Sequence, residues 1–311
     1  MRYRQLGQSG LTVSVVGLGC NNFRSRMDDG AVHATVSAAL DAGVTLFDTA
    51  DVYGGRGGSE EILGAALRGR RDDVVVATKF GADMGDGADA RGSRRYIRSA
   101  VAASLRRLGT DWIDLYQLHV PDPLTPLDET LAALHELVAE GKVRYIGSSN
   151  LAAWQVVDAE WLARDAHGTR FISAQNQYSL LDRDVERELT PACLRCGVGI
   201  LPFFPLANGL LTGKYRRGQE LPPGRLAGNP GRAAELLTEA TFTRLEALEG
   251  LARQRGHNLL ELGIAGLAAQ PAVGSVIAGA TSPEQVRANA AAGEWVPSAE
   301  DLEALGRLLD G

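Results

Sequence analysis

The sequence predicts a (β/α)8 TIM barrel, in which eight parallel strands close into a ring that is surrounded by helices. Short apolar runs rich in Val, Ile and Leu alternate with helical stretches, and there are eight such runs. Regular alternation of this kind is typical of a parallel sheet, and the number of runs favours closure of that sheet. An open doubly wound sheet remains the alternative. No linker divides the 311 residues, so we expect a single domain over 1–311.

The chain begins with a predicted β-hairpin over residues 2–14, because turn residues separate two short strand-like runs there. The expected barrel strands then lie at 15–18, 44–47, 74–78, 113–118, 143–147, 171–176, 199–203 and 274–277. Helices are expected at about 28–42, 59–69, 93–108, 127–140, 151–165, 182–196 and 235–270, the last of these intervals being long enough for two helices, with one more after Pro283 and a last one at 298–310. The loops 81–92 and 213–230 are polar or rich in Gly and Pro, and both follow strands. We therefore expect both loops to lie over the end of the barrel that carries the chemistry.

The composition argues against several classes of protein. Hydrophobic residues make up 45% of the chain and charged residues 23%, which is ordinary for a globular protein. A formal net charge of −6 argues against a general nucleic-acid binder, which would carry a basic surface. No apolar run approaches the ~20 residues that span a bilayer, and the N-terminus lacks the apolar stretch of a signal peptide. The expected partner is therefore a small molecule, with neither nucleic acid nor membrane, and the sequence sets no oligomeric state.

The three cysteines include a CxxC pattern at Cys193 and Cys196. The chain has no second pair that would complete a four-cysteine zinc site. We expect ordinary thiols on the helix at 182–196, with a redox or metal role as the alternative. The cytoplasm is the expected compartment.

The segment around Asp48 and Tyr53 has the order strand, polar loop, helix. Asp48 ends the strand, Tyr53 follows five residues later, and a glycine-rich run comes next. Ser59 is expected to cap the following helix. In a barrel, the loop after a strand lies at the C-terminal face, where active sites are built.

Side chains two residues apart share one face of a strand. On the second, third and fourth strands, an apolar series on one face ends in Asp48, Lys79 and His119 respectively. If that face is the barrel interior, these three side chains converge at its mouth, with Tyr53 one loop further on. Each residue alone has a plainer explanation, as a surface lysine, a strand-end histidine or a carboxylate that binds backbone amides. The shared register favours a catalytic site.

The four residue types also suit one reaction. A tyrosine titrates near 10 and is a poor proton donor or acceptor at neutral pH. A lysine cation beside the phenol would lower its pKa, and a carboxylate paired with the lysine would hold that cation in place. A nearby histidine can donate to a substrate oxygen or relay a proton. The set is appropriate for carbonyl reduction, in which a hydride is added to carbon and a proton to oxygen.

At these residues the chain resembles the aldo-keto reductases, and the matching motifs cover nearly its whole length. The matching segments are 43–50, 53–54, 59–60, 78–79, 104–109, 111–119, 141–150, 175–178, 205–206 and 209–215. The resemblance implies a barrel, a nicotinamide cofactor and no metal. It assigns the catalytic tetrad to Asp48, Tyr53, Lys79 and His119.

The same resemblance implies a cofactor site. In order along the cofactor, its positions are Ser149, Asn150 and Gln175 at the nicotinamide carboxamide, Phe203 against the ring, Pro205, Leu206 and Gly209 beside the pyrophosphate, and Gly279, Thr281, Gln285 and Asn289 at the adenosine phosphate. Many relatives place Lys or Arg within the segment that corresponds to 279–285 to bind the ribose 2′-phosphate, and this chain has neither residue there. We expect NADP(H) to be preferred over NAD(H), with measurable activity on NADH.

The substrate pocket is expected to take its walls from the loops. The candidates are Asn21, Phe23, Val52, Phe80 and Phe204, and Trp112 is a weaker one that fits a structural role equally well. These side chains do not identify a substrate. Gly17 and Gly19 begin a dinucleotide-binding pattern that lacks its third glycine, so we interpret them as the first strand-to-helix loop of the barrel.

The leading functional hypothesis is an NADP(H)-dependent oxidoreductase that interconverts aldehydes or ketones, sugars among them, and alcohols. The alternative from another class is a regulatory subunit that keeps the barrel and the cofactor but acts through a partner. A barrel glycosidase that pairs Asp48 with Asp51 is a third possibility, but it would leave Lys79 and Tyr53 without roles.

Overall fold

The computed structural model describes residues 1–222, 224 and 226–310. An antiparallel hairpin comes first, formed by β1 (Tyr3–Gln5) and β2 (Thr12–Ser14). The barrel strands follow as β3 (Val16–Gly19), β4 (Leu46–Asp48), β5 (Val75–Phe80), β6 (Ile113–Leu118), β7 (Val143–Ser149), β8 (Phe171–Gln175), β9 (Gly199–Ile200) and β10 (Val276–Gly279). All neighbours pair in parallel, in the order β10-β3-β4-β5-β6-β7-β8-β9.

The ring closes between β9 and the segment that leads into β10. The Ile277 N–H donates to the Pro202 carbonyl at 3.1 Å, and Ile200 forms a parallel bridge with Val273. The chain therefore folds as a (β/α)8 barrel with an N-terminal hairpin and extra C-terminal helices, as the sequence predicts.

Helices alternate with the strands and cover the outside of the barrel. They are α1 (Asp29–Asp41), α2 (Tyr53–Ala66), α3 (Arg94–Leu108), α4 (Leu127–Ala139), α5 (Ala153–Asp165), α6 (Leu189–Cys196), α7 (Pro230–Leu236), α8 (Glu239–Gln254), α9 (Leu259–Ala268), α10 (Pro283–Ala292) and α11 (Ala299–Asp310). No helix in the described part of the chain is both long and apolar enough to cross a membrane.

Two predicted elements differ from the observed ones. The strand expected at 199–203 has only two residues, because Pro202 has no N–H to extend the ladder. The helix expected from residue 182 begins at Leu189, since Pro191 is tolerated only in a first turn. The interval 235–270 holds two helices as expected, α8 and α9, which are separated by a turn that ends at the Asn258 cap.

The prediction that Ser59 caps a helix is wrong. Residues 54–57 have left-handed backbone angles between Tyr53 and the regular part of α2. The Ser59 hydroxyl is buried there, and it donates to the Cys20 carbonyl at 2.9 Å and lies 2.8 Å from the Thr49 hydroxyl. Ser59 thus joins the loop after β4 to the loop after β3.

The barrel interior contains one apolar cluster. It contains Leu46, Val75, Ala77 and Leu115, which are the residues that precede the proposed catalytic side chains on the same face. Leu6 and Val13 of the hairpin belong to the same cluster, so the hairpin closes the N-terminal end of the barrel. The alternation of side chains therefore places the inward face as the sequence predicts.

Candidate active site

Asp48 and Lys79 form an ion pair at the C-terminal end of the barrel. The Lys79 ammonium donates to Asp48 Oδ2 at 2.7 Å and to the Thr49 carbonyl at 2.9 Å. The other carboxylate oxygen accepts from the amides of Gln175 at 2.8 Å and Gln117 at 3.3 Å. Lys79 is fully buried and Asp48 is 3% exposed. A buried pair of this kind holds its geometry because either charge alone would be costly to bury.

Tyr53 and His119 lie over this pair. The Lys79 ammonium is 5.1 Å from the centre of the Tyr53 ring, and the rings of Tyr53 and His119 meet edge to face at 5.8 Å. The His119 backbone is fixed on both sides, since its N–H donates to the Phe80 carbonyl and its own carbonyl accepts from the Asn150 amide. The structure thus brings together all four residues predicted to form the tetrad.

The pKa shifts in this group result from opposing effects. Burial raises the pKa of Tyr53 above its usual value, while the Lys79 cation pulls in the opposite direction. Burial alone would lower the pKa of Lys79, but Asp48 and Tyr53 outweigh it, and the net shift is upward. Our expectation that Lys79 leaves Tyr53 with a lowered pKa is therefore not met, because burial is the larger effect. Burial and then Lys79 lower the pKa of His119 to about 3, so its imidazole is neutral at physiological pH.

A cavity of about 910 Å³ opens above these side chains, near the upper end of the range for small-molecule sites. Asp48, Tyr53 and His119 line it, whereas Lys79 lies beneath them. Every residue predicted to bind the cofactor also lines this cavity, namely Ser149, Asn150, Gln175, Phe203, Pro205, Leu206, Gly209, Gly279, Thr281, Gln285 and Asn289.

The predicted substrate walls are only partly brought to this cavity. Asn21 and Phe204 line it, but Phe23, Val52 and Phe80 do not. Phe23 and Phe80 are fully buried in the hydrophobic core between strands and helices. Trp112 lies at the opposite end of the barrel, between the guanidinium groups of Arg71 and Arg144. An aromatic residue beside a strand end suits a pocket wall and the hydrophobic core equally well. The sequence alone therefore did not distinguish these two positions.

The polar groups at one end of the cavity fit a nicotinamide. Ser149, Asn150 and Gln175 contribute a hydroxyl and two amides to the lining of the cavity, which also includes Phe203. Asn150 has a left-handed backbone with φ 60°, and its amide donates to the Ser149 hydroxyl at 3.0 Å. These groups supply the donors and acceptors that a carboxamide needs, and Phe203 offers a flat apolar face.

The residues predicted beside the pyrophosphate and the adenosine line the other end of the cavity. Ala207, Asn208 and Gly209 all have left-handed backbones, and the N–H groups of Ala207 and Gly209 donate to the Phe204 and Leu206 carbonyls at 2.8 Å, so this turn is held by its own hydrogen bonds. The Thr281 hydroxyl and N–H both donate to the Gln285 side chain, at the start of α10. Arg287 is exposed, lies 3.9 Å from Glu284 and does not line the cavity.

The sequence analysis did not identify two cationic side chains that line the cavity. Lys214 lies close to Gly209 and Gly224, within the loop 213–230 that we expected over the active face. Arg26 belongs to the loop between β3 and α1. Lys214 lies in the family-matching segment 209–215, which gave a signal, whereas Arg26 had none because Arg24 is equally charged and two residues away.

A buried acidic cluster behind Tyr53 was also missed. Glu60 is fully buried and accepts from Thr78 and from Arg107, each at 2.6 Å. Asp51 is 2% exposed, and its Oδ1 atom has no hydrogen-bond partner. Burial and then the Glu60 charge raise the pKa of Asp51 to about 7. Asp51 is therefore not the second carboxylate of a glycosidase pair, since it lies behind the cavity wall and not on it.

The three cysteines are all free and buried. Burial raises the pKa of Cys193 to about 12, and it also raises that of Cys196. Both thiols are therefore protonated at neutral pH, which agrees with the expectation of unreactive thiols on a helix.

A parallel barrel with a cavity of about 910 Å³ at its C-terminal end, lined by Asp48, Tyr53 and His119, is the architecture of an α/β enzyme that acts on small molecules. The sequence profile of the Aldo/keto reductase family matches residues 15–310, and the chain belongs to that family of oxidoreductases, which generally use nicotinamide cofactors.

Individual relatives differ in function. A probable voltage-gated potassium channel subunit beta of Oryza sativa subsp. japonica is 37% identical over 96% of this chain and 92% of its own length. An uncharacterised oxidoreductase of Bacillus subtilis is 37% identical over 100% and 97%. An L-glyceraldehyde 3-phosphate reductase of Escherichia coli K12 is 36% identical over 93% and 86%.

Proposed function

We propose that this protein is an NADP(H)-dependent oxidoreductase that interconverts small aldehydes or ketones and alcohols, with Tyr53 as the general acid and base. The observation that carries the proposal is the convergence of Tyr53, His119 and the buried Lys79–Asp48 pair at the wall of one cavity. The cysteine thiols, all unpaired, support the cytoplasm as its location.

The proton chemistry follows from the charges around Tyr53. Its phenol is protonated at neutral pH because burial raises its pKa, so it is ready to donate when a carbonyl oxygen gains negative charge. The Lys79 cation then stabilises the tyrosinate that remains, and Asp48 keeps the cation in place. The neutral His119 is suited to orient the substrate oxygen by a hydrogen bond. When bound, the nicotinamide ring supplies or accepts the hydride.

A preference for NADP(H) is supported by Lys214, one of the two cavity-lining cations that the sequence analysis did not identify. Lys214 lines the same cavity as Thr281 and Gln285, and it has no ion-pair partner among the described residues. A free ammonium group favours a ligand with more phosphate charge. The proposed preference is therefore NADPH over NADH, with measurable NADH activity.

A regulatory role is the second candidate function. It is favoured by the relative named as a probable potassium channel subunit beta, which matches nearly the whole chain. The complete set of Asp48, Tyr53, Lys79 and His119 supports turnover instead. The two candidates differ in a simple observable, which is the rate at which the protein oxidises NADPH in the presence of an aldehyde.

The test compares wild type with Tyr53→Phe, using 4-nitrobenzaldehyde and the absorbance of NADPH. Wild type should turn over, and Tyr53→Phe should lower turnover by about two to four powers of ten, the usual range for a lost general acid. Affinity for NADPH, measured by fluorescence titration, should barely change. Near-normal turnover by the variant when hydride transfer limits the rate would contradict the role of Tyr53, and an inactive wild type would favour the regulatory role.

A further inference from the structure

The cavity carries more positive than negative charge, although the chain as a whole has a net charge of −6. Its charged lining residues are Asp48, Arg26 and Lys214. The Asp48 carboxylate is neutralised by Lys79 at 2.7 Å. Among the described residues, neither Arg26 nor Lys214 has an ion-pair partner. The cavity therefore offers two unpaired cations to whatever enters it.

The loop that carries Arg26 is well ordered by its own contacts. Phe23 and Met27 are buried and form a bridge across the loop, and the N–H of Arg26 donates to the Asn22 carbonyl at 2.9 Å. Arg24, within the same loop, has a left-handed backbone with φ 54°, and its guanidinium lies 2.8 Å from Asp29 and 2.7 Å from Glu61. Carboxylates of α1 and α2 thus neutralise Arg24, whereas Arg26 lines the cavity without an ion-pair partner among the described residues.

The order of the barrel strands places this loop beside the proposed reaction centre. Strand β3 lies between β10 and β4, so the Arg26 loop is flanked by the loop of Thr281 on one side and that of Tyr53 on the other. Packing agrees with this order, because a Cβ on Gly54 would lie 2.8 Å from the Phe23 carbonyl. Lys214 follows β9, on the far side of β10. Of the two free cations, Arg26 is the one whose loop adjoins that of Tyr53.

We propose that Arg26 binds a negatively charged oxygen group, phosphate or carboxylate, on the carbonyl substrate, so that this enzyme favours anionic over neutral aldehydes. The inference rests on the proposed function for the reaction itself. A guanidinium is always charged and presents parallel N–H donors that match two oxygens of such a group. Of the predicted substrate walls, Phe23 and Phe80 are absent from this cavity, whereas Asn21 and Phe204 line it together with Arg26.

The experiment compares two matched pairs of aldehydes in wild type, Arg26→Gln and Arg24→Gln. The pairs are glyceraldehyde 3-phosphate with glyceraldehyde, and 4-carboxybenzaldehyde with 4-nitrobenzaldehyde. Arg26→Gln should lower the ratio of kcat/KM for the charged member over the neutral one by about tenfold in at least one pair, mainly through KM, as expected for a lost hydrogen bond to a charged group that is partly screened. Arg24→Gln removes the same charge from the same loop and should leave both ratios unchanged.

Two further measurements distinguish this proposal from the proposed function and from a role of Arg26 in cofactor binding. Glycerol 3-phosphate, which has no carbonyl, should bind more weakly to Arg26→Gln than to wild type by calorimetry, and this readout needs no turnover. Failure of both charged and neutral aldehydes to react would remove the proposed function, whereas unchanged ratios with normal turnover would overturn only the role of Arg26. A variant that binds NADPH more weakly while both substrate ratios stay the same would also overturn it, because the cation would then serve the cofactor.

Discussion

The two ends of the barrel each bury an aspartate beside a cation, and they use the pair differently. Asp48 is the last residue of β4 and Asp114 the second residue of β6, and they are 3% and 2% exposed. Asp114 accepts from the Arg71 side chain at 2.6 Å, the Arg144 side chain at 3.2 Å and the Val76 N–H at 3.0 Å. Both carboxylates are held by several donors, so burial and pairing alone do not mark a functional site.

The difference lies in what surrounds each pair. At the N-terminal end, the Trp112 ring is stacked between two guanidinium groups at 4.7 and 4.6 Å and covers Asp114. At the C-terminal end, Asp48 faces the cavity, and the buried atoms Gln117 Oε1 and His119 Nδ1 have no partner. Polar groups left without partners are costly unless a ligand satisfies them. We infer that the N-terminal pair stabilises the fold and that the C-terminal pair serves chemistry at a cost in stability.

The largest expected effect is on turnover, when the Asp48–Lys79 pair is broken and the Asp114 pair is kept. Lys79→Met should lower kcat by about two to four powers of ten, because the tyrosinate of Tyr53 loses its stabilising cation. Asp114→Asn is the matched control, since it breaks the other pair. It should keep kcat per folded molecule while losing about 3 kcal/mol of unfolding free energy, as expected when a buried pair loses one charge.

The measurements are single-turnover kinetics across pH and urea unfolding followed by circular dichroism. A still-active Lys79→Met protein with an unchanged pH–rate profile would remove Lys79 from the mechanism. A loss of kcat in Asp114→Asn that matches the loss in Lys79→Met would mean that the two ends do not differ in the way we infer.

A smaller effect should appear in the pH dependence of stability at the C-terminal end. Since the pKa of Asp51 is raised to about 7 from an ordinary value of 3.8, the folded state binds more protons than the unfolded chain between these values. The unfolding free energy of wild type should therefore fall as pH rises through this window, by at most about 1.4 kcal/mol per pH unit from this group. Asp51→Asn removes the titration, so its stability relative to wild type should increase from pH 5 to pH 8.

Burial sets the sign of this effect, and the groups that face Asp51 change its size. Glu60 raises its pKa, whereas Arg107 and Lys79 lower it, and Tyr96 and Tyr116 are the other titratable neighbours. Urea unfolding at several pH values measures the difference between the two proteins. A difference that stays constant from pH 5 to pH 8 would show that Asp51 does not titrate in this range.

The smallest expected effect is on cofactor choice. Thr281→Arg should tighten NADPH binding several-fold without tightening NADH, because only NADPH carries the 2′-phosphate, and the gain should shrink as salt is raised. Fluorescence titration of both cofactors at low and high ionic strength measures this. Equal tightening of both cofactors, or a wild type that uses NADH strictly, would contradict this account of the 2′-phosphate site.

Local pattern accounts for most of what the sequence predicted correctly. The eight apolar runs and the helices between them specify the barrel. Each run is a signal contained in a short segment, so it can be identified from the local sequence alone. The inward register of Asp48, Lys79 and His119 also follows from local alternation, because a strand has only two faces. The errors in element bounds came from Pro191 and Pro202, whose missing N–H groups shorten α6 and β9.

By itself, the sequence determined the barrel and the shared register of Asp48, Lys79 and His119, because both depend on spacing along the chain, and its resemblance to a family supplied the proposed tetrad and the proposed cofactor-binding segments. Only the tertiary structure decided that Phe23 and Phe80 belong to the core and that Arg26 and Lys214 reach the cavity. It also decided the upward pKa shift of Tyr53, which depends on whether burial outweighs Lys79. These properties arise from contacts between segments far apart in the chain, and burial and charge balance exist only once those segments are packed.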